Sequence, residues 1–338
     1  EIGTELRFFN DRLGIDAAYY RSKTVDQIVS DLRLSYGTGF ILQVFNGGEL
    51  WNEGIELQLN GTPVSRENLS WEIIANFTTS RGELVSLPND LPEYYVSDTW
   101  LAGNIRNGVI PGESLYNLTG FDYRRNDRGD ILIDPDTGLP LRAGNIWVPV
   151  GDRNPDFTVG LSNFLRYKNF ELSFLLDIRK GGDIYNGTAQ YMFANGLSLQ
   201  TLDREEPVVI EGVLADGNEN SANPTPNNIE IVPYENSDYY TAASGVGSEI
   251  NFVERDINWL RLRDVTLRYR LPAAALGRLK FLQSASLFLT ATDLFILTNY
   301  TGLDPVNVAT STAVGGSGGM GIDYGNYPMP LGINIGLS

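Results

Sequence analysis

The stretch Tyr327 to Leu337 (YPMPLGINIGL) puts Leu331, Ile333, Ile335 and Leu337 at every second position, with Gly332, Asn334 and Gly336 between them. Successive side chains of a strand point to opposite faces, so this spacing describes a strand with one apolar face and one face of small or polar groups. The pattern recurs along the chain. Leu13, Ile15, Ala17 and Tyr19 oppose Arg12, Gly14, Asp16 and Tyr20, and Ile55, Leu57 and Leu59 oppose Glu56, Gln58 and Asn60. Trp71, Ile73, Ala75 and Phe77 oppose Glu72, Ile74, Asn76 and Thr78. Phe170, Leu172, Phe174, Leu176 and Ile178 oppose Glu171, Ser173, Leu175, Asp177 and Arg179, and Ala285, Leu287, Leu289 and Ala291 oppose Ser286, Phe288, Thr290 and Thr292. These segments read as the wall of a membrane barrel. A soluble sandwich, apolar inside and wet outside, gives the same alternation.

The connections separate the two readings better. Asn10 to Arg12 and Lys168 to Asn169 are tight turns, Thr62 to Asn68 is modest, and Leu271 to Leu282 is somewhat longer. Between them lie long Gly-, Asn- and Asp-rich stretches at Val25 to Gly48, Gly82 to Asn154, Lys180 to Asp256 and Asn299 to Met329. Loops of that length are uncommon in compact soluble domains, whereas outer-membrane barrels have short turns at the periplasmic end and long loops outside. Reversing direction at each connection gives nine spans, with none or two more between Glu113 and Leu141, and brings the last strand to the periplasmic end. That is about half of the roughly 22 strands of the largest single-chain transporter barrels, and an open sheet edge is not tolerated in hydrocarbon. The expectation is an all-β fold: the C-terminal half of a large antiparallel transmembrane β-barrel with long extracellular loops.

Composition narrows the chemistry. The chain has 338 residues, a formal net charge of −17, no cysteine and no histidine. Disulfides, thiolate chemistry and the commonest general base and transition-metal ligand are thereby excluded. The acidic balance argues against binding nucleic-acid phosphates. No apolar run approaches the roughly 18 residues of a membrane-spanning helix. The start, EIGTELRFF, has neither the basic opening nor the apolar core of a secretory signal, so the chain is expected either to be cytoplasmic or to lack its beginning.

Four segments carry a resemblance: Asn154 to Asn169 (NPDFTVGLSNFLRYKN) with Arg179 to Asn186 (RKGGDIYN), Trp259 to Pro272 (WLRLRDVTLRYRLP), Ala291 to Asn307 (ATDLFILTNYTGLDPVN), and the earlier Asn52 to Leu59 (NEGIELQL). In this order they resemble the end of SusC/RagA-like TonB-dependent outer-membrane transporters of the Bacteroidetes, over nearly the whole chain. The resemblance implies a bacterial outer-membrane importer of glycans or peptides, without enzymatic activity or cofactor. It also implies a signal peptide, an N-terminal plug and further barrel strands outside this sequence, energy supplied through TonB, and a SusD-like surface lipoprotein as lid. Members usually end in an aromatic residue, whereas this chain stops at Ser338. Within Leu260 to Tyr269 the apolar phase shifts from Leu260 and Leu262 to Val265, Leu267 and Tyr269, which predicts a β-bulge near Arg263 and Asp264.

Candidate lumen-lining residues are Glu56, Glu72, Asp177, Arg179, Arg261, Arg263 and Arg268, either as ion pairs of a wet wall or plug contact, or touching substrate in passage. In the loops, Tyr94, Tyr95, Trp100, Tyr116, Tyr123, Trp147, Tyr239 and Tyr240 would pack the loops together, meet the lid protein, or stack on sugar rings. Tyr19, Trp71 and Phe77 are expected in the interfacial girdles. The acidic stretch Asp127 to Gly138 (DRGDILIDPDTG) lacks the spacing of a calcium loop, and Asp134, Asp136 and Gly138 suit a tight turn instead, so no metal is expected. The Asn-x-Ser/Thr matches at Asn60, Asn76, Asn117, Asn186 and Asn299 fit chance in an Asn-rich chain. The main alternative is a soluble β-rich glycoside hydrolase or carbohydrate-binding domain, since two carboxylates suffice for glycosidic cleavage. A closed barrel acting as a passive porin or adhesin is a further alternative. The apolar face decides against the soluble reading if it lies uncovered.

Overall fold

A computed structural model of the chain describes residues 1–33, 39, 42–88, 91–95, 105–144, 147–241, 245–276, 283–306 and 319–338. Its main body is one nine-stranded antiparallel sheet in which every neighbour in space is the next wall strand in sequence. We number these strands β1 (Ile2–Phe8), β2 (Leu13–Arg33), β3 (Leu42–Arg66), β4 (Leu69–Ser86), β5 (Phe157–Tyr167), β6 (Phe170–Lys180), β7 (Trp259–Arg270), β8 (Ser286–Thr298) and β9 (Gly332–Leu337). Among the described residues β1 and β9 do not pair, so the sheet has two open edges. The segment Glu113 to Leu141 adds no wall strand; its short pieces at Asn117–Gly120 and Leu132–Ile133 lie among the loops.

Register turns the alternation of single strands into continuous bands. Leu6, Ile15, Leu59, Ala75, Leu161, Leu176, Leu262 and Phe295 stand opposite one another across eight strands. A second row runs Ala17, Leu57, Phe77, Val159, Ile178, Leu260 and Leu297. The other face carries Glu5, Asp16, Gln58, Asn76, Gly160, Asp177 and Arg261 in register. Slipping one strand by a single residue would move its whole apolar set to the polar face, which is why the register is strongly specified.

The apolar face lies uncovered. Leu6, Leu267, Leu289 and Phe295 are each more than 40% exposed, with values of 43%, 44%, 43% and 43%. A contiguous apolar band of this extent on a water-facing surface would drive aggregation, so the sandwich reading does not hold. Among the described residues no helix is long and apolar enough to cross a membrane. A polar intrusion in the band, Asn163, is 5% exposed, and its Oδ1 accepts the indole N–H of Trp71 at 3.2 Å. Rings gather near the tight-turn end of this face, where Phe170 and Tyr269 lie 4.7 Å apart.

The bulge falls where the phase shift places it. Leu175 pairs with Asp264 and Leu176 with Leu262, leaving Arg263 as the extra residue, so Arg263 and Asp264 follow Arg261 onto the polar side. The stretch Val25 to Gly48 departs from its reading as a loop: β2 runs on to Arg33 and β3 begins at Leu42, pairing with register shifts near Thr24, Gln27 and Val29. Most described side chains of this extension are exposed, with Val29 buried at 5%, so little selects an alternating sequence there and backbone pairing carries much of the extension.

Leu161→Arg, at the centre of the apolar band, is expected to cost about 2–4 kcal/mol, while Ser162→Arg on the polar face costs under about 1 kcal/mol. Denaturant titration of the full-length protein in detergent or lipid checks this, and equal effects would reverse the assignment of faces.

Candidate functional site

All the long connections leave one end of the sheet, and they pack into a cluster with its own core. Ile105, Leu118, Val150, Tyr185, Phe193, Phe252, Val253 and Ile322 come from three separate connections and are all buried. Burying side chains of this size stabilises by about 1.5–3 kcal/mol each. A smaller apolar group, Ile184, Ile257, Trp259 and Tyr300 with Ile296, joins this cluster to the wall. Trp259 and Ile296 stand in register with Arg179 and Arg261 on the polar face, so the loops fold over that face and leave the apolar one open.

The upper polar wall is occupied in holding the loops. Asp177 meets Arg263 at 3.3 Å and accepts the indole N–H of Trp259 at 3.3 Å. Arg179 donates to the carbonyls of Gly181 at 3.0 Å and Arg153 at 2.5 Å, and its guanidinium lies 4.9 Å from the Trp259 ring. Arg261 pairs with Asp293 at 2.8 Å and with Asp304 at 3.2 Å. The lower wall is open. Glu72 and Arg268 line a cavity of about 380 Å³ with Arg166 and Glu171, and Glu171 pairs with Arg270 at 2.6 Å. Glu56 lines a second hollow with Glu5 and Asp16, where Arg7 bridges the latter two at 2.7 and 3.3 Å. Glu56, Glu72, Asp177, Arg179, Arg261, Arg263 and Arg268 therefore share one face, but only Glu56, Glu72 and Arg268 stand on its open part.

The loop aromatics divide in the same way. Tyr95 and Trp147 sandwich the Arg106 guanidinium, whose carbon lies 3.6 and 3.5 Å from the two ring centroids. Arg106 also forms an ion pair with Glu93, and Thr119 donates its hydroxyl to Glu93 at 2.6 Å. Trp147 continues the stack to Phe121 at 4.6 Å, which in turn carries Arg142 at 3.7 Å. Tyr123 is buried; its hydroxyl donates to the Gly245 carbonyl at 3.0 Å and accepts from Asn251 at 2.8 Å. Burial pushes its phenol from 10.0 up to about 12. Tyr239 and Tyr240 meet edge to face at 5.1 Å, and both pack on Phe193. Tyr94 pairs in a short sheet with Val109, and Tyr116 lies 5.2 Å from Arg153. Trp100 lies outside the described residues. Asp134 accepts the N–H groups of Asp136 and Thr137 at 2.8 and 3.3 Å, and Gly138 turns at a φ of 72°, which makes the acidic stretch a tight turn.

Sequence reasoning did not single out Arg106, Glu93, Phe121 or Arg142, because a lone arginine in a loop carries no periodic signal. Asp293 and Asp304 lay inside the quoted segment Ala291 to Asn307, yet nothing in their spacing pointed to Arg261.

The family described as TonB dependent receptor-like, beta-barrel, matches residues 1–177. TonB-dependent receptor P3 of Formosa agariphila is 26% identical over 358 residues, covering 100% of this chain and 33% of that protein. TonB-dependent receptor SusC of Bacteroides thetaiotaomicron is 25% identical over 355 residues, covering 99% of this chain and 31% of that protein. In fold, the chain is similar to the solved RagAB peptide transporter, with a TM-score of 0.67 and 21% identity over 99% of this chain and 34% of that one. The chain thus spans about a third of the length of the relatives it matches.

Arg106→Ala is expected to destabilise the loop cluster by on the order of 3–5 kcal/mol, since it strands Glu93 in a buried site. Arg106→Lys should not restore it, because an ammonium lacks the planar fork that stacks between two rings. Amide exchange at Leu118 would report the loss while wall amides stay protected. The raised Tyr123 phenol contributes stability that is complete below pH 10.0 and is lost as pH rises toward about 12. Tyr123→Phe should lessen the alkaline loss of near-ultraviolet dichroism.

Proposed function

Because the chain belongs to the TonB-dependent receptor-like β-barrel family, whose SusC/RagA-type members are proteins of the bacterial outer membrane, we propose that it forms part of the barrel of an energised importer. The family is one of transporters and receptors rather than enzymes. The observation that carries the reading is the match of the whole chain to SusC, together with a nine-stranded sheet whose apolar face lies uncovered. On this reading a signal peptide that is later removed, a plug and further strands precede this segment, and the further strands, toward a barrel of about 22, close its open edges.

The cargo on this reading is an oligosaccharide or a peptide, taken up with a SusD-like surface lipoprotein over the loop cluster and with energy through TonB. Exposed rings at the loop end, Tyr191, Tyr234 and Tyr324, give flat apolar surfaces against which sugar rings or peptide side chains lie. Glu56, Glu72 and Arg268 on the open wall meet the cargo in passage, and alanine at Glu72 or Arg268 is expected to change selectivity with little change in barrel stability.

The test is uptake by cells carrying the full-length protein as their one copy, offered labelled oligosaccharides and labelled peptides in parallel. Uptake of one class is expected to vanish when TonB is deleted, and a surface lipoprotein is expected to copurify in mild detergent. Uptake that is unchanged without TonB would reduce the protein to a passive pore and overturn the proposal.

A further inference from the structure

The hollow on the polar wall is built by side chains in register. Glu72 and Phe164 are partners on β4 and β5, and one step toward the tight turns Arg166, Glu171 and Arg268 stand side by side on β5, β6 and β7. All five line the same cavity of about 380 Å³. Glu171 is taken by Arg270 at 2.6 Å, whereas Glu72, Arg166 and Arg268 enter no ion pair among the described residues. Phe164 stands on the polar face as a ring that is 45% exposed. Arg268 lies 5.9 Å from a second ring on that face, Phe288. One hollow therefore holds a carboxylate, two guanidinium groups and an apolar ring, with the charges unmatched by neighbours.

These groups discriminate between classes of ligand. A neutral sugar can lie on Phe164 but leaves three charges without a counter-charge, and a polyanion meets Glu72 with its own sign. A free peptide carries an ammonium, a carboxylate and apolar side chains on one backbone, and a guanidinium fork matches a carboxylate in shape as well as charge. The spacing also suits a peptide. Three strand spacings of about 4.8 Å, on the order of 14 Å in all, separate the backbones of Glu72 and Arg268. An extended chain covers at most about 3.5 Å per residue, so three or four residues span that gap. We propose that this hollow binds short peptides, with the terminal amine on Glu72, the terminal carboxylate on Arg166 and Arg268, and an apolar side chain on Phe164. The assignment rests on the import reading for the presence of cargo, and it chooses peptide over oligosaccharide.

The experiment measures equilibrium binding to the full-length protein in detergent by calorimetry. The probes are trileucine, its N-acetyl form, its C-terminal amide and maltotriose. Trileucine is expected to bind, each blocked form to bind roughly tenfold or more weakly, and maltotriose not to compete. Glu72→Gln should weaken trileucine about as far as N-acetylation does and leave the N-acetyl form unchanged. Arg166→Gln with Arg268→Gln should do the same for the C-terminal amide. Equal weakening of free and blocked peptides in these variants would mark a structural role and overturn the proposal. Absent binding, or equal binding of free and blocked peptides to the parent protein, overturns it without any variant, and is the result expected if another part of the protein fills the hollow. Uptake is scored separately. TonB-dependent entry of labelled oligosaccharide with no binding of trileucine removes the peptide site and leaves the importer. Charge-specific binding with TonB-independent entry keeps the site and removes the importer.

Discussion

A peptide group in hydrocarbon finds no water, so each N–H and C=O of a spanning strand must be met by the next strand. Between its two open edges this chain meets that requirement with neighbours that follow one another directly in sequence, from β1 to β9. Sequential pairing leaves every wall strand little freedom of register, and register decides which side chains face out. The apolar bands, the polar wall and the position of the loops all follow from this ladder. The one place where the ladder departs from regular pairing on β7, at Arg263, is also where the polar face gains an extra charged side chain that reaches Asp177.

The wall and the loop cluster are stabilised by different physics. Wall residues are half-exposed in isolation, because their apolar partner is a lipid chain and their polar partner is solvent or other protein in the lumen. Among the described residues those with no accessible surface, Ile105, Leu118, Thr119, Ile133 and Tyr185, all lie in the connections. The loops thus hold the molecule's conventional core, and the polar wall beneath them acts as its foundation. Asp177, Arg179 and Arg261 lie where a channel lining would be expected, yet Arg179 binds loop backbone, Arg261 binds the loop carboxylate of Asp304 as well as Asp293, and Asp177 is taken by Arg263 and Trp259 of the neighbouring strand.

The fold was legible wherever both faces of a strand had different neighbours. Leu172, Phe174 and Leu176 against Ser173 and Asp177 can only be a wall strand once the uncovered face is known. The strand extensions from Val25 to Arg33 and from Leu42 to Gly48 were not legible, because consecutive exposed residues such as Val25 to Ile28 impose no alternation. The bulge at Arg263 was legible because it leaves a phase error in the apolar positions. The site was legible only to the level of faces. Period-2 reasoning puts Arg261 and Glu72 on the same side, but it cannot see that Arg261 is enclosed by Asp293 and Asp304 while Glu72 borders an open hollow. Contacts between residues far apart in sequence, such as Tyr123 with Asn251, leave no local trace.

The loop core draws Ile105 and Leu118 from one connection, Tyr185, Phe193 and Phe252 from the next, and Ile322 from the last. Each loop is therefore shaped to the others. Over generations, a lineage that acquires a new loop by recombination inherits a misfit unless the matching surfaces arrive with it. Diversification among such proteins should then proceed by exchange of whole sets of connections on a conserved wall, with single loops drifting only where they touch solvent.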